Sequence, residues 1–124
     1  MLEGIRRESA AAGSKEACGL LFGADGEITH AQTAENVSEN PERTFEIDPR
    51  TLFAALKVER AGGASILGYW HSHPSGDATP SATDAAMAAA DGKLWLIVAG
   101  DSATLWRAGE RGMHGRFEPV EIGV

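Results

Sequence analysis

Apolar and polar positions follow two rhythms along the chain, and each change of rhythm marks an element. Residues 2–12 set Leu2, Ile5 and several alanines among charges, which predicts a short helix closed by Gly13. "ACGLLFG" at 17–23 is an apolar run bounded by glycine and reads as a buried strand. The "ADG" at 24–26 predicts a hairpin turn into a second strand, "EITHAQTAENV", at 27–37. "SENPERT" at 38–44 is polar and holds Asn40-Pro41, so it reads as a loop, after which "TFEI" adds a few extended residues. Asp48 is placed as an N-cap and Pro49 as the first helical residue of a helix that closes at Gly62-Gly63, with Leu52, Phe53 and Leu56 as its apolar stripe.

The run "ASILGYWHSH" at 64–73 is an apolar strand that ends in histidines. A loop over 74–80 leads to Ser81, an N-cap candidate for the helix "ATDAAMAAA" at 82–90. "KLWLIVAG" at 93–100 is a buried strand, and "DSATLWRAG" (101–109) and "GRFEPVEIG" (115–123) read as two more. The order α-β-β-α-β-α-β-β-β predicts an α+β fold, a sheet covered by helices. Internal repeats and low-complexity segments are absent from the sequence.

At 124 residues the default expectation is one domain over 1–124, large enough to bury a core. The net charge of −7 argues against nucleic acid as the main partner. Cys18 is the one cysteine. It can form no internal disulfide and no Cys-rich zinc site, and this points to a reducing cytoplasm. The N-terminal residues lack the apolar core of a signal peptide, and no apolar run reaches the length of a membrane span. A cytoplasmic protein with no membrane partner is the expectation.

The chemistry concentrates in "YWHSHPSGDATPSATD" at 69–84. His71 and His73 stand at i and i+2, so a strand projects both imidazoles from one face. If Ser81 caps the helix, Asp84 lies in its first turn, and the loop between Pro74 and Pro80 returns this carboxylate toward the strand end. Two histidines and a carboxylate, with a fourth position left to water, form the donor set of a catalytic zinc. Hydrolysis also needs a carboxylate near the metal but not bound to it. Of the 18 acidic residues, Glu16 draws notice because it stands at the mouth of a buried strand. Ser81 is a second helper, able to donate a hydrogen bond to a developing oxyanion.

These residues together resemble the JAMM/MPN+ zinc metalloprotease motif: Glu16, then His71-Ser72-His73-Pro74, then Asp84 with ten residues between it and His73, and Ser81 three before Asp84. "EACGLLFG" is similar to the family's first strand and "LWLIV" to the strand after its zinc helix, so the likeness runs from about Leu2 to Arg107. The resemblance implies a curved mixed sheet flanked by helices, the cytidine deaminase-like JAB/MPN fold. It implies one Zn2+ per chain held by His71, His73 and Asp84, Glu16 as the general acid/base and Ser81 as the residue that steadies the tetrahedral intermediate. The implied reaction is hydrolysis of amide or isopeptide bonds after the C-terminal Gly-Gly of ubiquitin-like proteins. The chain lacks room for the long insertions and the extra Cys/His zinc site of large eukaryotic members. It looks more like short prokaryotic members that act on sulfur carriers of the ThiS/MoaD type.

Bland roles compete at several positions. Ser81 also serves as a plain helix cap, and Cys18 reads as a small core residue. His30 and His114 are expected to be ordinary histidines, and Asp77 a solubilising loop residue. The three tryptophans are expected in the core, with Trp70, beside the metal strand, a candidate pocket wall. Competing functions are a non-catalytic MPN scaffold, a RadC-type relative in DNA repair, and a zinc hydrolase of a small-molecule amide. The scaffold class typically loses ligands that this chain keeps. The RadC type would bring a helix-hairpin-helix segment and basic character. A deaminase would need a Cys-x-x-Cys that is absent. The sequence leaves the oligomeric state open.

Overall fold

A computed structural model of the chain describes residues 1–122. Its elements follow the expected order: α1 (Leu2–Ala12), β1 (Cys18–Ala24), β2 (Glu27–Ala34), α2 (Pro49–Arg60), β3 (Ser65–Ser72), α3 (Ala82–Met87), β4 (Leu94–Ala99), β5 (Ser102–Met113) and β6 (Phe117–Val120). The strands form one mixed six-stranded sheet in the order β2-β1-β3-β4-β5-β6, with helices against it. Only β3 and β4 pair in parallel; the other neighbours are antiparallel. The parallel step requires a crossover, and here that crossover contains the loop after His73 and helix α3.

Local chemistry explains the ends of the elements. Gly13, at φ 62°, stops α1 in a conformation that other residues enter at a cost. Asp48 accepts a hydrogen bond from the Arg50 backbone and Pro49 opens α2, as expected. Helix α3 is shorter than the alanine run predicts. It ends at Met87 because Ala88 turns to extended backbone and buries itself in the core. The 44–47 segment forms no full strand; one bridge ties Ile47 to Asn36. Strand β5 outruns its expected end by continuing to Met113, with a register break between Ala108 and Met113. The expected last strand ran to residue 123, and its final residue lies outside the described part of the chain.

Alternation along the strands gives each face of the sheet its own core residues, with a further cluster of Leu20, Phe22, Ala55 and Ile66 against α2. One face carries Ile5, Leu21, Trp70, Leu94, Leu96, Val98 and Leu105 beneath α1. The other carries Cys18, Phe45, Trp95, Ile97, Trp106 and Phe117. Trp70 and His71 are successive residues of β3, so they point to opposite faces. Trp70 therefore lies in the α1 core, fully buried, and does not wall a pocket beside the histidines. Its indole crosses β1 where Gly19 has no side chain: a Cβ there would stand 2.2 Å from the indole nitrogen. That approach lets the indole N–H donate to the Gln32 carbonyl at 3.2 Å. No helix among the described residues is long and apolar enough to cross a membrane, a statement that does not extend to strands.

Candidate metal centre

His71 sits one residue before the end of β3 and is completely buried. Phe45 stacks on its ring at 4.4 Å and Trp95 meets it edge-on at 5.6 Å. Trp95, rather than Trp70, is thus the tryptophan that borders the histidines. His73 lies just past the strand, and its N–H donates to the Val98 carbonyl at 2.8 Å, which extends the β3–β4 pairing. Between them, Ser72 bonds to Ala17 twice: its hydroxyl accepts from the Ala17 N–H at 2.8 Å, and its own N–H donates to the Ala17 carbonyl at 3.0 Å. The residue next to Ala17 is Glu16. The middle residue of His-Ser-His therefore fixes the Glu16 backbone beside the strand end.

Asp84 arrives from the opposite direction. Ser81 caps α3 by accepting from the Asp84 N–H at 3.0 Å, and Asp84 Oδ2 accepts from the Ser81 N–H at 3.0 Å. This reciprocal capping box holds a shorter acid than usual at its third position. It fixes the carboxylate with Oδ1 3.1 Å from His71 Nε2 and Oδ2 3.0 Å from His73 Nε2. One donor atom from each of His71, His73 and Asp84 lies within 4.8 Å of the others. The Ser81 oxygen accepts one bond, which leaves its proton free to donate elsewhere.

The protonation states follow from the partners. His73 Nδ1 stands 2.7 Å from the Asp77 carbonyl, which can only accept, so this nitrogen carries a proton. His73 Nε2 stands 3.0 Å from both Asp84 Oδ2 and His71 Nε2. A proton on Nε2 is donated to the carboxylate; once it leaves, the lone pairs of the cluster meet at a point that a cation can fill. The donor set therefore fits a divalent metal, and the Asp77 carbonyl is placed to orient His73 as an outer partner orients a metal-bound histidine. Asp77 was expected only to keep its loop soluble. Its contribution is made by the backbone carbonyl, which residue type does not advertise.

Electrostatics separates the two acids of the centre. Burial works to raise the Asp84 pKa, but hydrogen bonds from His71 and His73 overcome it and hold the carboxyl far below the ordinary range. Burial lowers the His71 pKa against the pull of Asp84. Burial also opposes charge on His73, but its bonds to Asp84 and Asp77 outweigh this and raise its pKa. Glu16 has moved the other way, to about 7, chiefly by burial; the charge of His73 lowers it and that of Asp84 raises it. Its Oε1 is buried with no hydrogen-bond partner. A buried carboxyl titrating near neutrality and within the field of the cluster is suited to taking and returning a proton.

The remaining candidates behave as ordinary residues. Cys18 is fully buried in the core, and burial pushes its thiol up to about 12, which suppresses the thiolate. His30 stacks on Phe22 at 4.9 Å. His114, on the exposed turn between β5 and β6, donates to the Pro80 carbonyl at 3.0 Å. The sequence reading missed Asn36. Its amide group bonds to the carbonyls of Glu16 and Thr44 and accepts from the N–H groups of Ser38 and Glu46, fastening the loop that flanks the site. A lone asparagine in a polar stretch gives no sequence signal for that role.

Comparison with known proteins identifies the family. The family model described as prokaryotic homologs of the JAB domain fits residues 1–109. A desampylase of Haloferax volcanii is 34% identical over 82% of this chain and 74% of its own length. A probable TtuB-protein conjugate cleaving protease of Thermus thermophilus is 36% identical over 68% of this chain but only 56% of its own length. The solution structure of a protein from Desulfitobacterium hafniense superposes with a TM-score of 0.80 at 29% identity, covering 97% of this chain and 85% of that one. A JAB1/MPN domain protein from Archaeoglobus fulgidus, 21% identical, shares the fold with a TM-score of 0.61 over 98% of this chain and 91% of its own. With the family model spanning most of its length, this chain belongs to the prokaryotic homologues of the JAB domain.

Proposed function

We propose that this chain is a JAMM-type zinc metallopeptidase acting in the cytoplasm as one JAB/MPN domain. It hydrolyses the amide or isopeptide bond after the C-terminal Gly-Gly of a ubiquitin-like or ThiS/MoaD-type sulfur-carrier protein. The observation that carries this reading is the convergence of His71 Nε2, His73 Nε2 and the Asp84 carboxylate, next to a buried Glu16 whose pKa lies near 7. The relatives named as a desampylase and a conjugate-cleaving protease supply the substrate class. His71, His73 and Asp84 hold one zinc, which when bound polarises the scissile carbonyl and lowers the pKa of a water toward neutrality.

The chain's own residues do the rest. Glu16 removes a proton from the attacking water and returns it to the leaving amine, a transfer suited to a carboxyl that titrates near the working pH. The free Ser81 hydroxyl proton points its dipole at negative charge growing on the carbonyl oxygen. Phe45 and Trp95 pack against His71 and keep bulk water from its ring. A groove of about 280 Å³ adjoins the site, bordered by Phe45, Ile47, Leu52, Tyr69, Met87 and Trp95. The backbone of Phe45 and Ile47, on either side of a Glu46 whose own groups are bonded to Asn36 and Val37, is the proposed partner for a flexible tail, as in strand addition. Small residues at the tail's end suit a carbonyl crowded by zinc, Glu16 and Ser81.

The test is a β-grasp protein carrying one extra residue, or a lysine-linked adduct, after Gly-Gly. Mass spectrometry with and without a chelator should show release after the terminal glycine only when zinc is present. Unchanged cleavage after replacing the penultimate Gly with Val removes the narrow-slot argument. Cleavage of small-molecule amides, with every Gly-Gly fusion left intact, assigns the site to another class of hydrolase.

A further inference from the structure

The loop between His73 and Ser81 forms no strand pairing, yet side chains from outside it hold its carbonyl groups. The Asp77 carbonyl accepts from His73. The next carbonyl, that of Ala78, accepts from the hydroxyl of Thr104 on β5. Thr104 occupies a definite place. Cys18 pairs with His71, His71 with Ile97, and Ile97 with Thr104, so one row across four strands carries both the buried histidine and this hydroxyl. The orientation of the hydroxyl is fully determined. The Trp106 indole N–H, which can only donate, reaches Thr104 Oγ1 at 2.8 Å, so the hydroxyl must accept there. Its proton is left for the Ala78 carbonyl, which can only accept.

We infer that Thr104 is a positioning residue for the metal centre. By fixing the Ala78 peptide it fixes the adjoining Asp77 carbonyl, and through that carbonyl's bond to Nδ1 the ring direction of His73. This inference rests on the metallopeptidase reading for its metal but not for that hydrogen bond. Loss of the hydroxyl frees the loop to drift, and the His73 ring loses the partner that aims its Nε2 at Asp84. Second partners of metal-bound histidines commonly change affinity 10–100-fold. Thr104 stands one peptide further out, so the low end of that range applies.

The experiment uses the full chain as wild type, T104V, T104S and W106F. Zinc affinity is measured by competition with a chromophoric chelator, and the His73 Nδ1–H hydrogen bond to Asp77 by the solvent exchange of its proton in ¹⁵N NMR of the metal-free protein. T104V keeps the shape of the side chain and loses the hydroxyl; it should bind zinc about 10-fold more weakly, with the His73 Nδ1 proton exchanging faster. T104S should restore both readings. W106F leaves the Thr104–Ala78 bond in place and should keep wild-type zinc affinity at a lower melting temperature. Wild-type affinity together with unchanged exchange of the His73 Nδ1 proton in T104V overturns the inference, and so does a zinc loss in W106F equal to that in T104V. Should T104V fail to fold, T104A carries the same comparison. A wild-type protein that takes up no zinc defeats the metallopeptidase reading, while the proton-exchange measurement still decides the role of Thr104.

Discussion

The start of β1 and the start of α3 each bury a carboxyl group, Glu16 at 5% and Asp84 at 1% exposure, and then treat it in opposite ways. At α3 the acid is surrounded by donors: two imidazole nitrogens and the Ser81 N–H. It stays ionised although burial opposes the charge. At β1 the backbone on both sides of the carboxyl is tied down, to Pro41, Asn36 and Ser72, while one side-chain oxygen has no partner. Burial is left uncompensated there, and the pKa climbs. The difference shows how one small site makes two chemically distinct acids from similar groups. Hydrogen bonds to the charged form keep one acid ionised, and their absence lets the other hold its proton toward neutrality.

Breaking the α3 side should have the largest effect. Asp84→Ala removes the charge that two buried histidines face and unravels the capping box. Removing one partner of a buried charged set costs about 3–5 kcal/mol, and here the metal is expected to leave with it. Elemental analysis should find the variant nearly free of zinc, with turnover at background. Full zinc occupancy in Asp84→Ala would show that the metal binds elsewhere.

Breaking the β1 side should leave the metal in place. Glu16→Gln keeps size and polarity but cannot carry the proton, so turnover should fall by roughly 10²–10⁴ with zinc content intact. Zinc loss in this variant would erase the contrast by making Glu16 a fourth ligand. Unchanged turnover would make it a bystander.

How far this contrast was legible in the sequence depends on what each residue does. Spacing alone places His71 and His73 on one strand face, and the cap pattern at Ser81 aims Asp84 back at them, because both are properties of local backbone geometry. Nine elements in the right order follow from periodicity in the same way. The roles that escaped are carried by backbone groups or by distant pairings. Asp77 acts through its carbonyl, Ser72 and Asn36 grip segments far away in sequence, and Thr104 touches a loop 26 positions earlier. Trp70 illustrates a different limit. Alternation says that it opposes His71, but neighbourhood in sequence had suggested the same pocket.

The same contrast has a consequence for stability without metal. Between pH 4.5, the ordinary value, and about 7, the folded protein keeps a Glu16 proton that the unfolded chain has released. The native state binds more protons there, so this residue's contribution falls as pH rises through that window and stays unfavourable above it. Each pKa unit is worth about 1.4 kcal/mol, so the deficit above pH 7 is on the order of 3 kcal/mol. Glu16→Gln removes the ionisable group. In chelator-treated protein the variant should therefore melt higher than wild type at pH 8 and close to it at pH 4.5. The opposite order, with wild type the more stable at pH 8, would mean that Glu16 is solvated or paired in the folded protein.

The smallest effect is expected where the β1 acid is positioned rather than where it ionises. Ser72→Ala deletes the hydroxyl that accepts from the buried Ala17 N–H but leaves the backbone bond from Ser72 to Ala17 intact. An unpaired buried N–H costs about 1–3 kcal/mol, and the surviving backbone bond places this case at the low end. Zinc should still bind, since His71 and His73 keep their strand geometry and Asp84 its cap. Turnover should drop by about 10-fold, the equivalent of about 1.4 kcal/mol, because the segment that carries Glu16 is joined to the histidine strand at Ser72 by one bond in place of two. Measuring zinc content beside turnover separates the two sides of the centre: activity lost at full zinc occupancy locates the damage at Glu16, and zinc lost in proportion to activity would locate it in the histidine strand instead.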